Sequence, residues 1–118
     1  MRLETLSAIV LVAAAVALEG CGEETPAAPT AEQLFRRELC ASCHGGAGEG
    51  SWMGPPLRGL SEHWERDALA EFLRDPKPFV SEDERLAELL RQFPNPMVGN
   101  RVLGKAERLQ VADWLLTR

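Results

Sequence analysis

Five consecutive residues, Cys40-Ala41-Ser42-Cys43-His44, concentrate the reactive side chains of this sequence. Thiols three positions apart on a helix share one face, and here an imidazole follows the second directly. Thiol–disulfide exchange uses such a pair at a strand-to-helix junction, but no strand pattern precedes Cys40. A zinc site wants a second pair of ligands, and beyond this cluster the chain offers only His63. A structural disulfide suits an oxidising compartment, yet it leaves His44 without a role.

One chemistry uses all three residues. C-x-x-C-H is the pattern of c-type haem attachment. Two cysteines at the end of a helix can add to the two vinyl groups of one haem as thioethers. The histidine that follows then falls beneath the iron as its proximal ligand. The thioethers also fix the orientation of the haem and prevent its loss, which matters for a protein outside the cytoplasm.

The elements that must hold this cluster read as helices. Thr30 with Gln33 forms a capping-box start, followed by Leu34, Phe35 and Leu39. Trp64, Ala68, Leu69, Phe72 and Leu73 recur at helical spacing until Pro76. Ser81 with Glu84 is a second capping box, leading Leu86, Leu89, Leu90 and Phe93 into Pro94. Leu109, Ala112, Leu115 and Leu116, with Trp114 beside them, form a last helix. Residues 45–59, with six glycines and two prolines, make a long loop, and such loops carry function or wrap something. Four short helices and this loop give residues 31–118 a thin apolar core. A large buried prosthetic group would complete it.

Order and spacing add a family. Residues 31–118 resemble the bacterial class I cytochromes c. The features are a helix before Cys40-Ala41-Ser42-Cys43-His44-Gly45, then Gly54-Pro55-Pro56-Leu57-Arg58-Gly59, a late methionine loop, and a terminal helix with an aromatic. The resemblance implies an all-α fold of about four helices wrapped around one covalently attached haem. It implies that the first and last helices cross, with Phe35 and Trp114 meeting there. It also implies that the Pro55 carbonyl accepts a hydrogen bond from the Nδ1–H of His44, and that Leu57 packs on the haem plane. A rigid turn is the plainer reading of Gly54-Pro55-Pro56.

A second axial ligand decides between electron transfer and ligand binding. Met53 lies two residues before Pro55, which the resemblance puts on the His44 side of the haem. His63 stands among Glu62, Glu65, Arg66 and Asp67 and reads as a solvent-exposed side chain. Met97 stands in Phe93-Pro94-Asn95-Pro96-Met97-Val98-Gly99-Asn100, where two prolines remove backbone freedom just before it. A rigid loop suits a fixed thioether ligand, whereas a filler methionine would sooner lie on a helix face. By family position too, Met97 is the expected sixth ligand. With His44 and Met97 on the iron, the expected work is one-electron transfer at a fairly high potential.

Residues 6–18 are apolar apart from Ser7, a run of thirteen. A spanning helix needs about 17–25 apolar residues, so the run has the length of a secretory signal core instead. Leu18-Glu19-Gly20-Cys21 resembles the bacterial lipobox, with Glu19 unusual where a small or aliphatic residue is expected. The division is therefore a lipoprotein-type signal peptide over 1–20, a lipidated Cys21 with a Pro/Ala-rich linker over 21–30, and a cytochrome c domain over 31–118. The linker reaches at most about 28 Å, which would hold the domain close to a membrane.

The chain has 13 basic and 18 acidic residues and a net charge of −5, with no basic patch dense enough for nucleic acid. Residues 61–90 carry nine acids and four bases, and residues 91–118 five bases and two acids. Solvated helix faces account for most of this; steering of weak redox encounters is the alternative. The expected molecule is a monomeric, periplasm-facing carrier, lipid-anchored and passing single electrons between membrane redox complexes or other electron-transfer proteins. A haem c sensor domain and an electron-entry subunit of a larger oxidoreductase complex are the competing readings.

Overall fold

Thr30 starts the first helix as its side chain pattern predicts. In the computed structural model, which describes residues 20, 22 and 25–118, Thr30 Oγ1 accepts from the Gln33 N–H at 3.2 Å. Gln33 Oε1 accepts from the Thr30 N–H at 2.8 Å, closing the capping box. Residues 1–19 of the expected signal peptide and the expected lipidation site Cys21 lie outside the described residues.

Helix α1 spans Ala31–Arg37 and stops before Leu39, which the apolar spacing had assigned to it. Leu39 is left-handed, with φ 61°, and 69% exposed. That conformation is costly for a residue with a Cβ, and it ends the α1 axis before the chain restarts as α2, Cys40–His44. The 3₁₀ turn η1, Leu60–Glu62, follows the glycine loop. Helix α3 covers Arg66–Arg74, so Trp64 precedes it rather than opening it.

The next two helices differ most from the expected pattern. Pro76 lies just beyond α3, but the chain re-enters a helix at once as α4, Lys77–Glu82. Pro78 is tolerated there because the first turn has no intrahelical use for its missing N–H. Ser81 therefore lies inside α4, donating to Pro78 O at 2.8 Å, and does not cap α5, Glu84–Gln92. Asp83 does so, its Oδ1 accepting from Arg85 N at 2.8 Å and Leu86 N at 3.4 Å. Helix α6 is Lys105–Leu116. The described residues thus contain six α-helices, one 3₁₀ turn and no strand, two more helices than the four expected. None of these helices is long and apolar enough to cross a membrane.

The core lies where α1, α3 and α6 meet. Leu34 and Phe35 come from α1, Leu69, Ala70 and Leu73 from α3, and Val111, Ala112 and Leu115 from α6, with Leu103 closing one end. Phe35 is 2% exposed and its ring centroid lies 5.2 Å from that of Trp114, tilted by 56°. The family resemblance implied this meeting, and tilted aromatic pairs add to simple burial. Arg108 is also buried, its Nη1 donating to Leu103 O at 2.7 Å and holding the turn into α6. Leu109, expected on the inner face, is only partly buried, and Val111 takes the central place. Replacing Phe35 by Ala should cost about 3–5 kcal/mol, read as a lower denaturant midpoint of the holoprotein. A much smaller loss would mean that the α1–α6 crossing closes around the cavity.

Candidate functional site

One turn of helix carries three of the candidate residues. Cys40 and Cys43 lie a turn apart on α2, both as free, half-buried thiols, and His44 ends the helix. His44 Nδ1 lies 2.8 Å from Pro55 O. A carbonyl oxygen can only accept, so Nδ1 carries the proton and Nε2 keeps its lone pair for a ligand bond.

The glycine loop delivers Pro55 by folding back over the carbonyl end of α2. Gly50 N donates to His44 O at 2.7 Å, and Ser51 Oγ donates to Cys43 O at 2.6 Å. These bonds satisfy carbonyls that a helix end leaves open. Ser51 N to Gly54 O at 2.9 Å and Leu57 N to Gly48 O at 2.8 Å fix the return of the loop. Two positions need glycine for space. A Cβ on Gly54 would stand 3.0 Å from Cys43 O, and one on Gly50, at φ +88°, would stand 2.7 Å from Pro56 N. Leu57 is half-buried and packs against the core.

Cys40 is not tuned for exchange chemistry. Burial is the main cause that pushes the Cys40 thiol above its ordinary pKa, helped by the charge of Glu38. Reactive redox cysteines are shifted the other way. Among the described residues, no group of three or more His, Cys, Asp or Glu converges to hold a bare metal ion. These two facts disfavour exchange chemistry at Cys40 and a bare metal-ion site.

Met97 stands elsewhere, 37% exposed, on a loop that runs from the end of α5 to α6. It lines an apolar cleft of about 240 Å³ with Phe72, Pro76, Lys77, Val80, Leu90 and Pro96. Behind the cleft, Phe72 joins Trp64 and Phe79 in an aromatic cluster with centroids 4.8–5.8 Å apart. The loop is pressed against α3: a Cβ on Gly99 would overlap the Arg74 carbonyl oxygen. Asn100 N then donates to Leu73 O at 2.7 Å. Met53 belongs to the other loop, its N–H donating to Ser51 Oγ at 3.0 Å, beside Cys43. His63 is exposed at the end of η1. Thus the fold brings Cys40, Cys43, His44 and Pro55 together and sets Met97 in a separate cleft.

Two residues that the sequence did not single out link these parts. Asn100 Nδ2 donates to Glu38 Oε2 at 3.1 Å, across 62 positions of chain. The Asx-turn character of Asn100, whose Oδ1 accepts from Val102 N and Leu103 N, could be suspected from its place before a helix. Its partner could not.

The family model described as Cytochrome c matches residues 29–118. No curated protein and no solved structure matches the chain. The match covers most of the sequence, and the chain belongs to the cytochrome c family. That family binds haem c covalently and carries electrons, and electron transfer on haem c is the function this membership supports.

The carboxylates around the site make its stability depend on acid. The Asn100 side chain foremost, then Arg37, holds the Glu38 carboxyl below its ordinary range. Backbone N–H groups of Glu49 and Ala47 do the same for Glu49. A group with a depressed folded-state pKa stabilises the fold above its unfolded pKa and loses that contribution as pH falls through the folded value. The thermal midpoint should therefore fall as pH drops below about 4.3, the ordinary glutamate value, and more gently in Glu38→Gln. An equally steep acid limb in that variant would show that Glu38 contributes nothing to it.

Proposed function

We propose that this member of the cytochrome c family holds one haem c with His44 and Met97 as axial ligands and carries single electrons on the periplasmic side of a membrane. The observation that carries the reading is the hydrogen bond from His44 Nδ1 to Pro55 O, which leaves Nε2 free for iron. The donor set fits the group: two free thiols on one helical face, one imidazole in the right tautomer, and a thioether in an apolar cleft. Haem c supplies a one-electron iron couple. Cys40 and Cys43 would tether it, Pro55 would keep the His44 ring oriented, and Leu57 would pack against it. Met97 would close the sixth position and favour the reduced form.

The sequence supports a location outside the cytoplasm, through the apolar run of residues 6–18 and Cys21 at its end. Three acids of the 61–90 stretch pair closely with nearby arginines: Arg74 meets Glu71 at 2.9 Å, and Arg91 meets Glu84 and Glu88 at 2.8 and 2.6 Å. Arg66 of that stretch meets Asp113 of α6 at 2.6 Å. Such exposed pairs contribute little to stability, and they support the reading of these helices as solvated faces. The partners proposed are membrane redox complexes or other electron-transfer proteins, met transiently.

The ligand assignment is tested by substitution. Met97→Ala should abolish the sulfur-to-iron charge-transfer band, lower the reduction potential and let the ferrous protein bind carbon monoxide. Met53→Ala and His63→Ala should keep the band. A band that survives Met97→Ala and disappears with Met53→Ala would reverse the two faces. Anchoring is tested separately. A single acyl chain binds only marginally, so stable attachment needs the multiply acylated cysteine of a lipoprotein. Cys21→Ala should move the protein from the membrane to the soluble fraction, and a wild-type protein already soluble would refute the anchor.

A further inference from the structure

We propose that Asn100 is the positioning residue of the Met97 loop, tying it through Glu38 to the segment that carries Cys40 and His44. The inference rests on Met97 being an iron ligand.

The loop is restrained within itself by Pro94 and Pro96, but prolines do not attach it to anything. After Phe93, whose N–H is bonded to Leu89 O, the next backbone N–H bonded within the protein is that of Asn100. Asn100 is therefore the first anchor beyond Met97, three residues away. Its side chain faces two ways. Oδ1 accepts from Val102 N at 2.9 Å and Leu103 N at 2.8 Å, shaping the turn into α6. Nδ2 donates to Glu38 Oε2 at 3.1 Å.

Glu38 is well placed to receive it. Its side chain is only 11% exposed, although it is charged. It caps α1 two residues before Cys40, and its other oxygen accepts from Arg37 Nε at 2.8 Å. Arg37 Nη2 in turn lies 3.6 Å from Glu107, whose Oε1 accepts from Gly104 N at the start of α6. The chain of contacts Asn100–Glu38–Arg37–Glu107 thus joins the end of the methionine loop, the entrance to the attachment helix and the first turn of α6. A hydrogen bond to a shielded carboxylate is stronger than one between neutral groups, and it spans the two segments that must supply opposite ligands. Without it, the loop would keep its local turn but lose its hold on the attachment side.

Asn100→Asp separates these roles. The aspartate keeps acceptors for Val102 and Leu103 and sets a carboxylate against that of Glu38. Imidazole binding to the ferric holoprotein reads the fraction of molecules in which Met97 has left the iron. Loss of one charge-assisted bond should raise the affinity for imidazole about tenfold. Far-UV circular dichroism and in-gel haem staining should stay as in wild type. Glu38→Gln, which can still accept from Asn100 but without the charge, should raise the affinity by clearly less than N100D does. The double variant N100D/E38Q, in which the glutamine amide can donate to the aspartate, should recover most of the loss. Should N100D not accumulate as folded holoprotein, Glu38→Ala removes the same acceptor with the turn intact and should show the same tenfold rise. Wild-type imidazole affinity in N100D, or no recovery in the double variant, would reduce Asn100 to a turn residue. A wild-type protein lacking the sulfur-to-iron band would instead overturn Met97 ligation, and this inference with it.

Discussion

A carbonyl oxygen has no proton to give, so the 2.8 Å contact between Pro55 O and His44 Nδ1 decides the chemistry of the imidazole. It assigns the proton to Nδ1, fixes the ring plane and leaves one basic nitrogen facing away from the loop. Much of residues 45–59 serves that contact. The loop must turn back over the carbonyls of α2, which requires left-handed glycines at 45, 48 and 50 and a residue without a Cβ at 54. In exchange, the loop satisfies the open end of a helix only one turn long, which could not persist unaided. Helix α2 and the proline loop are each incomplete without the other.

The Met97 loop is built on different support. Helices α1, α3 and α6 form a small apolar core, and the Met97 loop is hung between the ends of α3 and α6. Gly99 lets it approach Arg74, and Asn100 secures it to Leu73 and Glu38. The helices that bury Phe35 and Leu73 thus also set the segments that carry His44 and Met97.

Much of this was legible in the sequence where the signal was local. The five-residue cluster, the Thr30–Gln33 box and the late proline-flanked methionine each announce themselves within a few positions. Phe35 with Trp114 and His44 with Pro55 are long-range, and they were reachable only through the resemblance in motif order. The break at Leu39 was not legible, since leucine gives no sign of a left-handed conformation that glycine or asparagine would have signalled. Helix α4 was hidden because Pro76 read only as the end of the preceding helix, although proline in a first turn starts a helix as readily as it ends one. Ser81 and Asp83 both carry capping side chains, and the choice between them depended on α4 already being helical. The contact between Glu38 and Asn100 has no local pattern at all.

The central claim is that His44 and Met97 present their donor atoms to one covalently held haem. A proton NMR spectrum of the ferrous holoprotein tests it most directly, since a methyl group held on the iron lies in the ring current of the macrocycle. The account predicts one methionine methyl signal displaced far from the ordinary methyl range and lost in Met97→Ala, together with a slowly exchanging His44 Nδ1 proton. An undisplaced set of methionine methyls, or a displaced one that belongs to Met53, would contradict it.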